Sequence, residues 1–312
     1  MNFKQWLFEM VDNDVVLKIV NHTDKPFERF MALIRGNDED HVYLRCVLSK
    51  RDSTGNFPNS YLCEGRLINN TVHVDKILLS PETRSKTKRG EEVVGYEDPS
   101  LLSDGTLLIT EVYKSNRVLT NLVSFNPKTK EVKTILRSEK AKHDLGLKHA
   151  DMVKEAHVFD LNGKSYMFLE VGGTVVEGKG CSQIVIARYD KGKLGKIMPF
   201  LHPIPKTWLS EHTSTACAPI KLGDDYVFLF NGRNNKQWTV GFGLLNPLGH
   251  LYYLSPKPII KSPSSSGWGG QRISFASDMT KKGNKFEIFY HCNDEFICKT
   301  TFEAKDFCLP SP

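Results

Sequence analysis

Short apolar runs recur along almost the whole chain at intervals of about ten residues, each closed by Gly, Asn, Asp or Pro, a spacing that predicts an all-β fold of antiparallel meanders. In Arg29–Arg35, Phe30, Ala32 and Ile34 alternate with Met31 and Leu33. Tyr61–Ile68 turns at Asn69-Asn70 into Thr71–Leu79, Glu155–Asp160 turns at Asn162-Gly163 into Ser165–Val171, and Phe296–Phe302 closes the chain. Roughly twenty such strands are too many and too short for one barrel, whereas four-stranded blades arranged radially protect their own edges. The expectation is a five-bladed β-propeller forming a single domain over residues 1–312, with residues 1–14 a short helical or capping segment. Ala141–Asp151 is the other place where a helical turn is expected.

The stretch Val94-Gly95-Tyr96-Glu97-Asp98-Pro99-Ser100-Leu101-Leu102 carries the densest chemistry. Two adjacent carboxylates precede a proline, and Asp104-Gly105 turns the run back into Thr106–Tyr113. Proline has no N–H and a fixed φ, so Pro99 is expected to open a strand and to bias Asp98 to an extended conformation. Alternation along a strand would then place Glu97 and Asp98 on opposite faces, one toward a ligand and one bracing the loop. An acidic turn with no further role is the plainer reading.

A weak internal repeat favours the first reading. Glu97-Asp98-Pro99-Ser100 and its Asp104-Gly105 turn share an outline with Lys154-Glu155-Ala156-His157 and its Asn162-Gly163 turn, and Ala218–Val227 repeats it more loosely. Such units suit the innermost hairpins of successive blades. Inner strands surround a central channel, so groups at equivalent points of the repeat converge.

Composition excludes several classes. The net charge of +6 comes from mixed signs, and the basic run Arg84–Arg89 lies among Ser, Thr and Lys without aromatic partners, so no nucleic-acid partner is expected. No apolar run reaches the ~20 residues of a membrane span, and the N-terminus, with Glu9, does not resemble a signal peptide. The seven cysteines show no paired metal spacing and are expected to be reduced core thiols, which points to the cytoplasm. His143, His149 and His157 are six and eight residues apart, no metal pattern, and no metal or phosphate-cradling loop is expected. In Ser262–Gly270, Trp268 either stacks on a sugar or anchors its loop, and Ser210–Thr215 reads as a capping turn or a substrate loop.

Several short segments between Arg35 and Phe302 resemble the five-bladed propeller enzymes of glycoside hydrolase family 130, β-mannoside phosphorylases and mannosidases, and the related mannosyltransferase–phosphorylases. Gly95-Tyr96-Glu97-Asp98-Pro99 matches the family's Gly-x-Glu-Asp-Pro, the most specific piece. Lys154-Glu155, Phe230-Asn231-Gly232, Trp238–Leu245 and Phe289–Asp294 resemble further family blocks, as do Leu33-Ile34-Arg35 and Ser49–Asp52 near the start. The resemblance implies an enzyme transferring mannose from or to β-mannosides with inversion. Asp98 would be the general acid and Glu97 its brace. Asp52 and Asp294 would hold hydroxyls of the transferred mannose, and Lys154 would meet phosphate or the departing sugar. Arg35, Glu155, Glu211, His212, Asn231 and Trp238 complete the expected substrate-binding set. No cofactor is implied, inorganic phosphate being a potential co-substrate, and the partner is an oligosaccharide or sugar phosphate.

Three positions depart from the family pattern. Ser100 stands where Arg commonly follows the Glu-Asp-Pro motif, Asn231 replaces a His, and Trp238 replaces a Tyr. These lie near phosphate in the phosphorylases, so phosphorolysis is in doubt unless Arg233, Arg272, Lys236 or His212 supplies the lost groups. Hydrolysis would need a base for water, with Glu155 and Glu211 the candidates. The alternatives are a non-catalytic carbohydrate-binding propeller, or a related propeller glycosidase acting on arabinose or xylose chains.

Overall fold

The computed structural model describes residues 4–48, 59–87, 89–114, 118–148, 150–176, 179–265, 267 and 270–308. Asp52, His149 and Trp268 lie outside them. All but one of the regular elements of the described chain are strands. It begins with β1 (Lys4–Val16) and β2 (Lys18–Asn21), then β3 (Arg29–Arg35), β4 (His41–Val47), β5 (Ser60–Ile68) and β6 (Thr71–Leu79). A second meander holds β7 (Glu92–Leu101), β8 (Leu107–Lys114), β9 (Val118–Phe125) and β10 (Val132–Arg137), followed by helix α1 (Ser138–Leu145). A third has β11 (Val153–Leu161), β12 (Lys164–Val176), β13 (Lys179–Asp190), β14 (Lys193–Leu194) and β15 (Met198–Leu201). A fourth has β16 (His212–Thr215), β17 (Ile220–Leu222), β18 (Asp225–Asn234), β19 (Gln237–Leu245) and β20 (Leu251–Leu254). The last is β21 (Arg272–Lys282), β22 (Lys285–Cys292) and β23 (Phe296–Cys308).

Residues 4–14 do not form the expected helical or capping segment. Lys4–Val16 is a strand, antiparallel to β23 from Lys4 opposite Cys308 to Val16 opposite Cys298. Backbone pairing with a distant strand decides the conformation of Trp6-Leu7-Phe8, residue types that suit a sheet as well as a helix. The second expected helical region, Ala141–Asp151, overlaps only the end of α1, which begins at Ser138 and is ended by Gly146 at φ 65°, a left-handed conformation that glycine adopts without steric cost. Ser210–Thr215 contributes β16, a strand beginning a meander.

The core is divided between neighbouring meanders. Leu62 and Tyr43 pack with Tyr96 and Val123. Leu108 and Leu122 pack with Met167 and Val185, Phe168 with Phe228 and Phe230, Val240 and Phe242 with Ile288 and Phe302, and Leu33 and Leu44 with Phe289 and Ile297. The last cluster joins the final meander to the first. The inner strands of the meanders are thus buried on both faces and read as apolar runs, as in β4, β8 and β18.

The first strands meet in turn: β3 contacts β7 and β21, β7 contacts β11, and β11 contacts β16. Short parallel bridges stitch one meander to the next. At one of these, Gly95 opposes Ser60, and a Cβ on Gly95 would lie 2.2 Å from Ser60 Oγ, so the approach requires glycine.

Three first strands carry the same irregularity. Register shifts between Met31 and Ile34, between Glu97 and Ser100, and between Lys154 and His157 each insert one extra residue opposite a regular partner strand. In each bulge one residue takes a left-handed conformation: Ala32 at φ 49°, Asp98 at 48° and Glu155 at 52°. Bulges re-aim side chains, and positive φ at a non-glycine residue is costly enough to be kept only where the surroundings enforce it.

Candidate active site

The bulges correct the reading of the Glu97-Asp98-Pro99 motif. Pro99 does not open a strand; it sits inside the β7 bulge, where a missing N–H costs no ladder bond. Asp98 is left-handed, not extended, despite the preference imposed by the following proline. The broken alternation also turns both acids to the same side, and Glu97 and Asp98 line one cavity of about 490 Å³. Glu155, at the matching bulge of β11, lines it too, so the two acids that the repeat aligned converge at the ends of neighbouring first strands.

Lys154, opposite Glu170 across β11 and β12, anchors this side. Its Nζ lies 3.2 Å from Glu155 Oε1 and 3.9 Å from Glu170 Oε2. Burial alone would lower the Lys154 pKa, but Glu170, Glu155, Asp98 and Glu97 outweigh it and hold the ammonium well above its ordinary range. Glu155 moves in the other sense. Burial pushes its carboxyl well above the usual value, Lys154 opposes, and Glu170 and Asp98 add to the rise. Ser214 Oγ donates to Glu155 Oε2, and Thr215 Oγ1 donates to its backbone carbonyl.

Asp98 is raised as well, first by burial, with Lys154 pulling down and the Glu97 charge pushing up. A carboxyl that keeps its proton nearer neutrality can donate it. Glu97 accepts a hydrogen bond from Arg45, a buried arginine of β4. Arg45 thereby holds Glu97 in place beside Asp98.

The opposite wall is built across β16, β18, β19 and β21. His212 pairs with Arg233, and Arg233 with Trp238. The Trp238 ring has the Arg233 guanidinium 5.6 Å from its centroid, His212 at 5.6 Å and Phe275 edge-on at 5.3 Å. Phe275 stacks on His291 at 5.3 Å, and His291 Nε2 is 3.1 Å from Asp294 Oδ1. The Ser182 backbone N–H donates to His212 Nδ1 at 3.2 Å, which leaves Nε2 to carry the ring proton. Burial, Arg233 and Lys154 push His212 down to about 4, so near neutral pH it is an uncharged donor.

Of the residues expected from sequence, Glu97, Asp98, Lys154, Glu155, His212, Trp238 and Asp294 line the cavity, while Asp52 lies outside the described residues. Glu211 is behind the lining; Arg233 Nε, which lines the cavity, donates to its Oε2 at 2.9 Å. Asn231 is fully buried, its amide bonded to the Ala276 carbonyl at 3.1 Å and accepting from the Ala276 N–H at 2.8 Å. It ties β18 to β21 and does not line the cavity. Arg35 is elsewhere too, paired with Glu287, while its N–H donates to Asp278 Oδ2 at 2.9 Å.

Arg35 lines a second hollow of about 260 Å³ with His157, Ser277 and Asp278. Between the two cavities a neck of about 10 Å³ is bordered by Asp98, Glu155, His157 and Ser277. Asp98 and Glu155 therefore face both the main cavity and the neck, and His157 and Ser277 face both the neck and the lower hollow.

Sequence reasoning missed Arg45, Asp151, Glu170 and His291, which also line the cavity. For Arg45, Glu170 and His291 a signal was available, because each is a lone polar or charged residue inside an apolar strand run. Among the described residues, no group of three or more His, Cys, Asp or Glu side chains is arranged to hold a metal ion, and no helix is long and apolar enough to cross a membrane.

No protein-family model and no curated protein matches the sequence. Solved structures do match in fold. β-1,2-Mannobiose phosphorylase from Listeria innocua superposes with a TM-score of 0.64 at 16% identity, covering 93% of this chain and 90% of that one. A glycoside hydrolase from the family-130 mannoside phosphorylases, targeting β-1,2-mannosidic linkages in Candida mannan, gives a TM-score of 0.61 at 12% identity, covering 88% and 84%. A thermostable family-43 glycoside hydrolase gives 0.58 at 15% identity, covering 92% and 96%. At such identities the likeness is one of fold: this chain is nearly all-β and folds like these propeller-type glycoside hydrolases.

Proposed function

We propose that this chain is a carbohydrate-active enzyme, one five-bladed propeller over residues 1–312, that cleaves or transfers β-mannosides with inversion, Asp98 being the general acid. One observation carries the reading: Asp98 is swung by a strained bulge into a polar cavity where burial and Glu97 raise its pKa. Inversion needs an acid on the leaving oxygen and a nucleophile from the opposite face of the sugar. Trp238 offers an aromatic surface to a pyranose, and His212 and Asp294 offer a donor and an acceptor for its hydroxyls. The core clusters that link consecutive meanders, and the last to the first, support the propeller.

Water or a sugar hydroxyl is favoured over free phosphate as nucleophile. Each cationic Lys or Arg on the described lining already has a carboxylate partner: Arg45 has Glu97, Lys154 has Glu155, and Arg233 has Glu211. A phosphate dianion would have to displace these pairs in a lining rich in acids. Glu155 is a poor base for water, since its carboxyl is pushed toward the protonated form and Ser214 occupies one oxygen. Glu211 keeps a low pKa against the raising effect of burial, chiefly through Arg233, so it is the carboxylate that stays ionised, and from behind the lining it would act on a water admitted past Arg233.

The test is incubation with short β-mannosides, with and without phosphate, following products by chromatography and by the anomeric configuration at first release. Phosphate-independent release with inversion, abolished in Asp98→Asn, is expected. Strictly phosphate-dependent release would overturn the preference for water, and full activity of Asp98→Asn would overturn the assignment of the acid.

A further inference from the structure

We propose that the outer face of the β18–β19 hairpin holds a second sugar-binding site, for one neutral pyranose residue of a longer chain. The inference rests on the carbohydrate reading of the main cavity, and it concerns the opposite side of the same hairpin. Along β18, Arg233 turns into the main cavity, and its neighbour Asn234 turns away from it. Along β19, Trp238 turns inward, while Gln237 and Thr239 turn outward. The outward set, with Asn235, Trp208 and Pro258, encloses a hollow of about 220 Å³.

The lining has a definite chemistry. It presents three side-chain amides, a hydroxyl, an indole and a proline ring, with no charged side chain among them. Neutral donors and acceptors beside an aromatic surface suit the hydroxyls and C–H face of a sugar, and offer little to an anion or a cation.

The indole is held rigidly. Trp208 stacks on Phe230 at 5.5 Å with the rings 15° apart. It lies against bare backbone at Gly232 and Gly241, where an added Cβ would come within 2.8 Å and 2.4 Å of its ring. A preorganised ring loses little freedom when a ligand lands on it. The hairpin tip, Asn235 and Lys236 at φ 48° and 63°, is a tight two-residue turn of left-handed residues. The Asn235 N–H bonds to Glu211, which Arg233 in turn holds from the main cavity side. One hairpin therefore separates the two sites, and a chain leaving the main cavity over its rim meets the second.

The test compares the unmodified protein with an Asn234→Ala/Gln237→Ala variant on a disaccharide and a hexasaccharide of β-linked mannose. Asn234 is exposed and Gln237 half-buried, so the melting temperature is expected to hold. Turnover of the disaccharide should stay the same, while KM for the hexasaccharide rises about five- to 150-fold, the range for losing two hydrogen bonds to the ligand. In the unmodified protein, the indole N–H resonance of Trp208 should shift on adding methyl β-mannoside, and still shift in Asp98→Asn. An unmoved resonance together with an unchanged hexasaccharide KM would overturn the second site while leaving the main cavity's reading intact. A protein that neither turns over nor binds any of these sugars would overturn both.

Discussion

Asp98 and Glu155 occupy matching bulges on neighbouring first strands, with φ of 48° and 52°, and both line the main cavity and the neck beneath it. Their pKa values are both raised, Asp98 chiefly by burial and Glu155 chiefly by burial, with the Asp98 charge adding to the rise at Glu155. Two carboxyls lining one cavity, with a single ammonium, Lys154, acting on both, resist simultaneous ionisation. That is the condition for keeping a proton in the site.

The first prediction concerns Asp98 alone. Asp98→Asn keeps the shape but cannot give up a proton, so kcat should fall about 10²–10⁴-fold, with sugar binding retained. Substrates whose leaving group needs no protonation, such as aryl mannosides with acidic phenols, should lose much less. Steady-state kinetics on both substrate classes checks this, and an equal loss on the two would remove Asp98 from the acid's role.

The second concerns the pH profile. As the proposed general acid, Asp98 would be active in its protonated form, so its raised pKa should extend activity toward higher pH. Glu97→Gln removes a charge that raises Asp98 and releases Arg45, a charge that lowers it. Both changes act in the same direction, so the alkaline limb of kcat/KM should move to lower pH. A limb that stays put or moves up would contradict the assigned electrostatics.

The third is a stability effect with a definite sign. Burial holds His157 neutral, its pKa down at about 4 against an ordinary value of 6.5. A depressed histidine contributes stability that is fully present above about 6.5 and is lost as pH falls toward 4, by up to about 3 kcal/mol. Asp278, across the lower hollow, runs the other way: burial raises it to about 6, so its contribution is present below about 3.8 and fades as pH rises through 6. The two oppose each other in one window. In His157→Gln the histidine contribution is gone, so the stability difference from the unmodified protein should shrink steadily as pH drops from 7 to 4. Urea titrations across that range would show it, and a difference independent of pH would sink the argument.

Much of the fold was legible because the inner strands bury both faces between meanders, leaving apolar runs and turn residues as a plain periodic signal. The pairing of Asp98 with Glu155 was legible because both are acids at the same point of a repeat. Ala32 occupies the third such bulge, but a methyl group carries no chemistry to notice. The conformation at Asp98 was misjudged because a local rule, the extended bias before proline, yields to the bulge that the β8 register imposes. Arg35 was misplaced because the bulge at Ala32 and Leu33 resets the facing of β3, and Asn231 because depth along β18 cannot be read from its neighbours. The N-terminal strand was missed because its partner, β23, lies at the other end of the sequence.

The last prediction returns to Lys154, whose ammonium stands among acids with only 20% of its side chain exposed. Lys154→Met would leave Glu155 and Glu170 buried without their cation, and breaking such a pair typically costs about 3–5 kcal/mol. Adding Glu170→Gln removes one of the stranded charges and lets the amide bond to Glu155, so the double variant should recover a large part of the loss. It should not recover activity, because Lys154 also tempers Asp98. With the ammonium gone, the Asp98 carboxyl climbs further and the alkaline limb of its remaining activity moves up in pH, opposite to the shift in Glu97→Gln. Chemical denaturation of the single and double variants, read beside their pH profiles, separates the two roles. A double variant no more stable than Lys154→Met would mean that the stranded carboxylates are not what destabilises it, and the Lys154 side chain would then act through packing.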